Sequence, residues 1–323
     1  MTATRRRQGG AALLLALVIM TLVATLAAGM VWQQTRSVDV EAAERASAQA
    51  EWILNGALDW ARLILREDTR SGGPDHLGEP WATPLAESRL SSFLAVDPEN
   101  NADGGPEAFL SGAIVDAQSR YNLRNLVDGE NKVVPTELRA LERLCDAAGL
   151  PTDTPARLAE GLRAAWSGAV EDTSSDATGP PLPPTRVAQL VWLGLDATTV
   201  AKLEPYVTLL PVRTPVNANT ASREVLLAAI DGLDLATAER LVQTRQREPF
   251  DSLEAIRKQL PEGLKAEETR IGFRTSYFFV YGRLRLDERV LEERSLVERR
   301  GADRGLDVVA LQRERHNLQL SER

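Results

Sequence analysis

The sequence predicts an α+β chain: a long N-terminal helix packed on a C-terminal antiparallel sheet, with an all-α domain inserted between early and late strands. Three observations predict it. An uncharged apolar run near the N-terminus passes without a break into helical periodicity. The C-terminal part alternates with a period of two, and the region between is helical in texture and contains an internal repeat.

The first element is the run Ala11 to Trp32, AALLLALVIMTLVATLAAGMVW, which carries no charge. At about 1.5 Å per helical residue it reaches roughly 33 Å, enough for a hydrocarbon core of roughly 30 Å. Arg5, Arg6 and Arg7 precede it. By the positive-inside tendency they hold the N-terminus in the cytoplasm and send the rest of the chain across the membrane. From Gln33 to Arg66 there is no Pro and only one Gly, while Ala46, Ala50, Ile53, Ala57, Trp60 and Ile64 recur at helical spacing. These six are the expected buried stripe of one helix, about 84 Å long if unbroken from Ala11 to Arg66. A secretory signal cut near Thr25-Leu26-Ala27 and a plain signal anchor are the other readings of the apolar run.

A short basic leader, a Gly directly before an apolar helix, and a helix that continues into a soluble head are together similar to the type IV pilin class. There a prepilin peptidase removes the leader after the Gly. A cut between Gly10 and Ala11 makes Leu15 the fifth mature residue, although Gly9 leaves open a cut one residue earlier. Major pilins and most pseudopilins carry Glu at that position, to pair with the N-terminal amine of a neighbour. A carboxylate in lipid is costly, so its absence is informative. In this respect the chain resembles the protein K family of type II secretion minor pseudopilins, which sit at the pseudopilus tip.

Composition narrows the function classes. The chain has 323 residues, 43% of them hydrophobic, enough for a core and for one or two domains beyond the anchor. Its formal charge is −8, or −11 once the three leader arginines are gone, which disfavours nucleic acid as a partner. The single cysteine, Cys145, forbids an intramolecular disulfide and reads as a core residue near a helix end. His76 and His316 are the only histidines, and there is neither a Gly-rich phosphate loop nor a nucleophile elbow. No catalytic residue is assigned, and an enzyme is not expected.

After the long helix, Ser71-Gly72-Gly73-Pro74 forces a stop. His76-Leu77-Gly78-Glu79-Pro80-Trp81-Ala82 reads as a loop pinned by Trp81 and resembles a segment that protein K relatives carry at this point. A polar turn at Asn100 to Pro106 precedes a strand at Ala108 to Asp116. Next, Asp116-Ala117-Gln118-Ser119-Arg120-Tyr121-Asn122-Leu123-Arg124-Asn125-Leu126 resembles the family segment D-x-x-x-R-[FY]-N-L-N-x-L, with Arg124 where Asn is usual. Its Asp116 and Arg120 read more readily as a salt-bridged turn pair than as catalytic groups.

From Pro135 to about Gly263 the periodicity is helical, with a repeat at an offset of 38 residues. Val187 aligns with Val225, Gly194-Leu195-Asp196 with Gly232-Leu233-Asp234, Thr199 with Thr237, and Leu203 with Leu241. Each copy reads as helix, Gly turn, helix. In the second, Asn219 or Thr220 of Val216-Asn217-Ala218-Asn219-Thr220-Ala221-Ser222 is placed to cap the first helix. The hairpin resembles a helix-hairpin-helix, a unit that offers turn amides to DNA phosphate. Here Asp234 replaces the second turn Gly and repels phosphate, and acidic residues interleave with Arg240, Arg245, Arg247 and Lys258. A membrane-anchored DNA-capture protein is therefore the rival reading. The resemblance to protein K implies two SAM-like units instead.

In the loop Gly168 to Pro184, Glu171, Asp172 and Asp176 could supply oxygens to calcium, the alternative being a solvated loop braked by prolines. Relatives carry an Asp-Trp pair at its start, where this chain has Ala165-Trp166. From Gly272 the period is two: strands are expected at Thr275 to Leu286, Arg289 to Arg299 and Leu306 to Arg315.

The divisions expected are a leader (1–10), a transmembrane helix (11–32), its soluble continuation (33–67) and a first part of the head (68–132). The inserted helical domain (133–270) follows, with units at about 133–211 and 212–270, and then the C-terminal strands (271–323). The family resemblance implies cleavage at Gly10 and Ala11, N-methylation of Ala11, and packing of Leu13, Leu14, Leu15, Leu17, Val18 and Ile19 on neighbouring helices. The partners it implies are minor pseudopilins I and J, the major pseudopilin G, prepilin peptidase and the inner membrane.

Overall fold

The computed structural model describes residues 9–90, 108–167, 181–286, 289–301 and 307–319. Residues 1–55 and 56–323 form two compact units. Helix α1 runs from Gly9 to Ser71, and its end follows from sequence: Gly72 and Gly73 take positive φ values of 71° and 116° that other residues rarely adopt.

In the second unit a five-stranded antiparallel sheet has the order β1-β2-β7-β8-β9. Its strands are β1 (Leu85–Arg89), β2 (Ala108–Asp116), β7 (Tyr277–Leu286), β8 (Arg289–Arg299) and β9 (Val308–Gln319). The chain leaves the sheet after β2 and returns to pair beside it at β7, with Asp116 opposite Phe278 and Ala108 opposite Leu286. Gly112 faces Gly282 in this pairing, and a Cβ on Gly112 would stand 2.6 Å from the Tyr281 carbonyl oxygen. Only glycine allows so close an approach.

The first part of β7, Tyr277 to Val280, is apolar on both faces because both are covered. Phe278 and Val280 join Val297, Val308 and Trp81 in a cluster with Leu58, Ala61 and Leu65 of α1. Tyr277 and Phe279 point the other way, into a cluster with Leu296, Ala117 and Leu210. The face of α1 that meets the sheet is thus Leu58-Ala61-Leu65. The expected stripe is corrected at Trp60, which is 46% exposed, while Ala57 and Ile64 are half-buried at the margin. Ala46 is half-buried and Ala50 is buried.

Between β2 and β7 lie short strands and helices: β3 (Tyr121–Asn122), α2 (Pro135–Ala147), α3 (Thr154–Ser167), α4 (Ala197–Leu203), β4 (Val207–Thr208), β5 (Val216–Asn217), α5 (Arg223–Ala229), α6 (Leu235–Arg247), α7 (Leu253–Arg257) and β6 (Ile271–Gly272). Two parallel pairs, β3 with β4 and β5 with β6, tie the segment together. The amphipathic helices and the 3-10 helix Val187–Leu193 close over one core containing Leu141, Leu144, Leu162, Leu190, Leu203, Leu226 and Leu241. Cys145 is buried in that core near the end of α2, and burial pushes its thiol up to about 12. Such a thiol is unreactive at neutral pH.

Candidate functional site: an apolar helix and a buried polar joint

The first half of α1 is apolar and open to its surroundings. Leu13, Leu14, Leu15, Leu17, Val18 and Ile19 are all exposed, and from Ala12 the helix is long and apolar enough to cross a membrane. Its few hydroxyl groups are turned inward: Thr21 donates to the Val18 carbonyl at 2.9 Å and Thr25 to the Thr21 carbonyl at 3.0 Å. No hydroxyl is left without an acceptor, which is what a lipid environment demands. Gly10 and Ala11 lie in the first turn of α1.

The two motifs of the head meet at Asp116. Its carboxylate accepts from the Gln118 amide (2.7 Å), Asn217 Nδ2 (2.9 Å) and the Thr220 hydroxyl (2.6 Å), rather than pairing with Arg120 as expected. Complete burial pushes Asp116 up to about 6, even though hydrogen bonds from Thr220, Thr275, Asn217 and the Gln118 amide hold it down. Asn217 Nδ2 also donates to the Asp75 carbonyl at 3.0 Å, so one amide joins β5, the end of β2 and the loop after α1.

Asn219 does not cap α5. It is engaged with Phe250, donating to the carbonyl (2.9 Å) and accepting from the amide (2.8 Å), and Ser222 caps the helix through the Val225 amide. Asn122 and Asn125 hold residues 210–214: Asn122 bonds the Leu210 amide and Val212 carbonyl, and Asn125 bonds both the amide and the carbonyl of Thr214. Tyr121 donates to Glu137 at 2.8 Å, and Glu137 forms a buried ion pair with Arg270 at 3.0 Å. Arg124, the departure from the family pattern, lies 4.3 Å over the Trp166 ring.

A second polar cluster closes the end of α1. Arg299 of β8 bonds Asp68, Asp75 and the Thr275 carbonyl. Asp68, Asp75 and Glu79 bring carboxylate oxygens within 4.8 Å of one another, and the guanidinium supplies the compensating charge. Burial and the neighbouring Glu79 push Asp68 up to about 6, against the pull of Arg299. Glu79 accepts from the Trp81 indole and the His76 amide, both at 2.8 Å, and Trp81 stands edge-on to Phe278 with centroids 5.1 Å apart. The segment after the helix is therefore a buried pin for the sheet. Its Trp was legible in sequence, whereas Asp68, Asp75 and Arg299 were not, lying far apart without a local motif.

The Gly-Leu-Asp turn of the repeat is built the same way in both copies, although a 3-10 helix (Val187–Leu193) precedes it in the first and the α-helix α5 in the second. Gly194 and Gly232 adopt φ values of 83° and 78°, Leu195 and Leu233 are buried, and Asp196 and Asp234 cap α4 and α6. Each Asp accepts the backbone amide of the Thr three residues on at 2.8 Å, and that Thr hydroxyl as well. Glu171, Asp172 and Asp176, the candidate calcium ligands, lie outside the described residues.

A single apolar helix that runs into an α+β head, and there packs on an antiparallel sheet, defines the pilin-like class of membrane-anchored proteins. Family models described as "Type II secretion system (T2SS), protein K" match residues 119–212 and 216–274. The type II secretion system protein K of Pseudomonas aeruginosa is 31% identical over 88% of this chain and 87% of its own. That of Pectobacterium carotovorum is 28% identical over 92% and 94%. The chain belongs to the type II secretion system protein K family, non-enzymatic minor pseudopilins. A chain in the crystal structure of the GspK-GspI-GspJ complex from enterotoxigenic Escherichia coli superposes with a TM-score of 0.58 at 19% identity, over 85% of this chain and 98% of that one. That likeness is one of fold.

Proposed function

We propose that the protein is the tip subunit of a type II secretion pseudopilus, where it initiates assembly and supports export of periplasmic proteins across the outer membrane. The observation that carries this is the open apolar face of α1, uninterrupted by a carboxylate at Leu15, on a chain of the protein K family. A helix without an internal carboxylate presents only packing surface to its neighbours in the bilayer. Leu13, Leu14, Leu15, Leu17, Val18 and Ile19 form that surface.

In this reading the chain is a single-pass inner-membrane protein with a periplasmic head. Prepilin peptidase cuts it between Gly10 and Ala11, and Ala11 is N-methylated. Its neighbours are minor pseudopilins I and J, as the composition of the related complex suggests, with the major pseudopilin G below. The two Gly-Leu-Asp turns mark two SAM-like helix-hairpin-helix units, about 133–211 and 212–270, inserted as one domain (133–270) into the head and facing protein rather than DNA. At Glu171, Asp172 and Asp176 the reading favours a solvated loop over calcium. An unchanged melting temperature on calcium addition is the matching result.

Mass spectrometry of the N-terminal peptide, from membranes of cells with and without prepilin peptidase, tests the proposal. A peptidase-dependent terminus at methylated Ala11 supports it. Cleavage near Ala27, or a retained Met1, refutes it.

A further inference from the structure

Residues 211–215 form a surface loop whose backbone is held at several points. Prolines stand at both ends, Asn122 bonds the Val212 carbonyl, and Asn125 bonds Thr214 on both sides. The loop presents an exposed Val212 and Arg213. Across a cleft of about 430 Å³ stand Arg274 and Tyr277, and Glu298, Arg299 and Arg300 line its remaining wall.

The charges of the cleft do not balance. Arg299 is engaged by Asp68 and Asp75, and Arg300 pairs with Glu298 at 3.0 Å. Arg213 and Arg274 are exposed and form no ion pair with another described residue, although 46 of the chain's residues are acidic against 38 basic. A concave positive site on an acidic protein focuses potential and selects its partner by charge.

We propose that this cleft docks an acidic peptide segment of a partner protein, with carboxylates on Arg213 and Arg274 and an aliphatic stem against the exposed Val212. Each guanidinium offers a planar fork of donors that matches a carboxylate. The pinned loop requires little ordering on binding. Glu298 and the acidic surface of the chain oppose an extended polyanion, whereas within the cleft Glu298 is paired with Arg300 and a segment with two carboxylates has Arg213 and Arg274 to meet. The inference does not depend on where in the pseudopilus the chain stands.

The test is fluorescence anisotropy of the full chain in detergent micelles, titrated into a fluorescein-labelled peptide of alternating glutamate and glycine. Saturable binding that weakens as salt rises is expected, with a loss of about tenfold or more in the Arg213→Ala/Arg274→Ala variant. The exposed pair Arg247→Ala/Arg289→Ala serves as the charge-matched control and is expected to bind as the parent does. Absence of saturation, or equal losses in the two variants, overturns the proposal. So does a single-stranded oligonucleotide that binds more tightly than the peptide and is lost with Arg213 and Arg274. Far-UV circular dichroism of both variants separates misfolding from lost contact. Should the double alanine variant misfold, Arg213→Gln/Arg274→Gln takes its place.

Discussion

Asn217 donates to the Asp116 carboxylate at 2.9 Å across 101 residues of chain, and neither side chain is more than 2% exposed. The bond fastens the sheet to the helical segment inserted into it. Asn217→Ala leaves Asp116 buried with one donor fewer and the Asp75 carbonyl without its amide. A loss of about 2–4 kcal/mol in unfolding free energy is expected. Urea denaturation of the variant measures it, and a change under about 0.5 kcal/mol would show the joint to be incidental.

Asp68 makes stability depend on pH in a direction that follows from its environment. Its carboxyl is raised from 3.8 to about 6 in the fold, so between those values the folded state holds the extra proton. The associated stability is fully present below the lower value and is lost as pH rises through about 6. Asp68→Asn removes this titration. The melting temperature of the variant relative to the parent is expected to climb as pH goes from about 5 to about 7. Parallel melting curves for the two proteins across that range would refute the assignment.

Much of the sheet is readable from residues, because β2, β7 and β8 are rich in apolar residues and the polar pair Asp287-Glu288 separates β7 from β8. β1 is not readable: Leu85–Arg89 reads LAESR and is a strand because the edge of β2 supplies its hydrogen bonds. The buried face of α1 was misplaced for a different reason. Ala57-Trp60-Ile64 and Leu58-Ala61-Leu65 are adjacent stripes of equal period, and periodicity alone does not say which one meets the sheet. Asn219 and Ser222 show the same limit, since both are good cap residues and only the position of Phe250 decides that Asn219 is engaged elsewhere. The two motifs of the joint were visible as motifs. That Asp116 of one accepts from Asn217 and Thr220 of the other was not, because the contact depends on how the helices return the chain to the sheet.

Leu15 tests the membrane half of α1. A single carboxylate costs at most about 3 kcal/mol, the value for the middle of a membrane helix, and Leu15 stands nearer the end of an otherwise uncharged run from Ala11 to Trp32. Leu15→Glu is therefore expected to remain in the membrane pellet after alkaline extraction. Adding Ile19→Glu one turn further on places two carboxylates on one face, and a soluble fraction is expected to appear. Full release by the single substitution would mean that the helix is held by something other than lipid burial.

Asp196 and Asp234 occupy equivalent places in the two Gly-Leu-Asp turns, each accepting a Thr amide at 2.8 Å and the same Thr hydroxyl. Because the geometry is the same, the substitutions Asp196→Ala and Asp234→Ala should lower stability by nearly equal amounts. The two caps lie on separate helices with no shared partner, so the double variant should lose the sum of the two. Asn at either position keeps an acceptor oxygen and should recover most of the loss. Chemical denaturation of the five variants decides the matter: a large cost at 234 alone would mean that the second turn bears a strain the first does not.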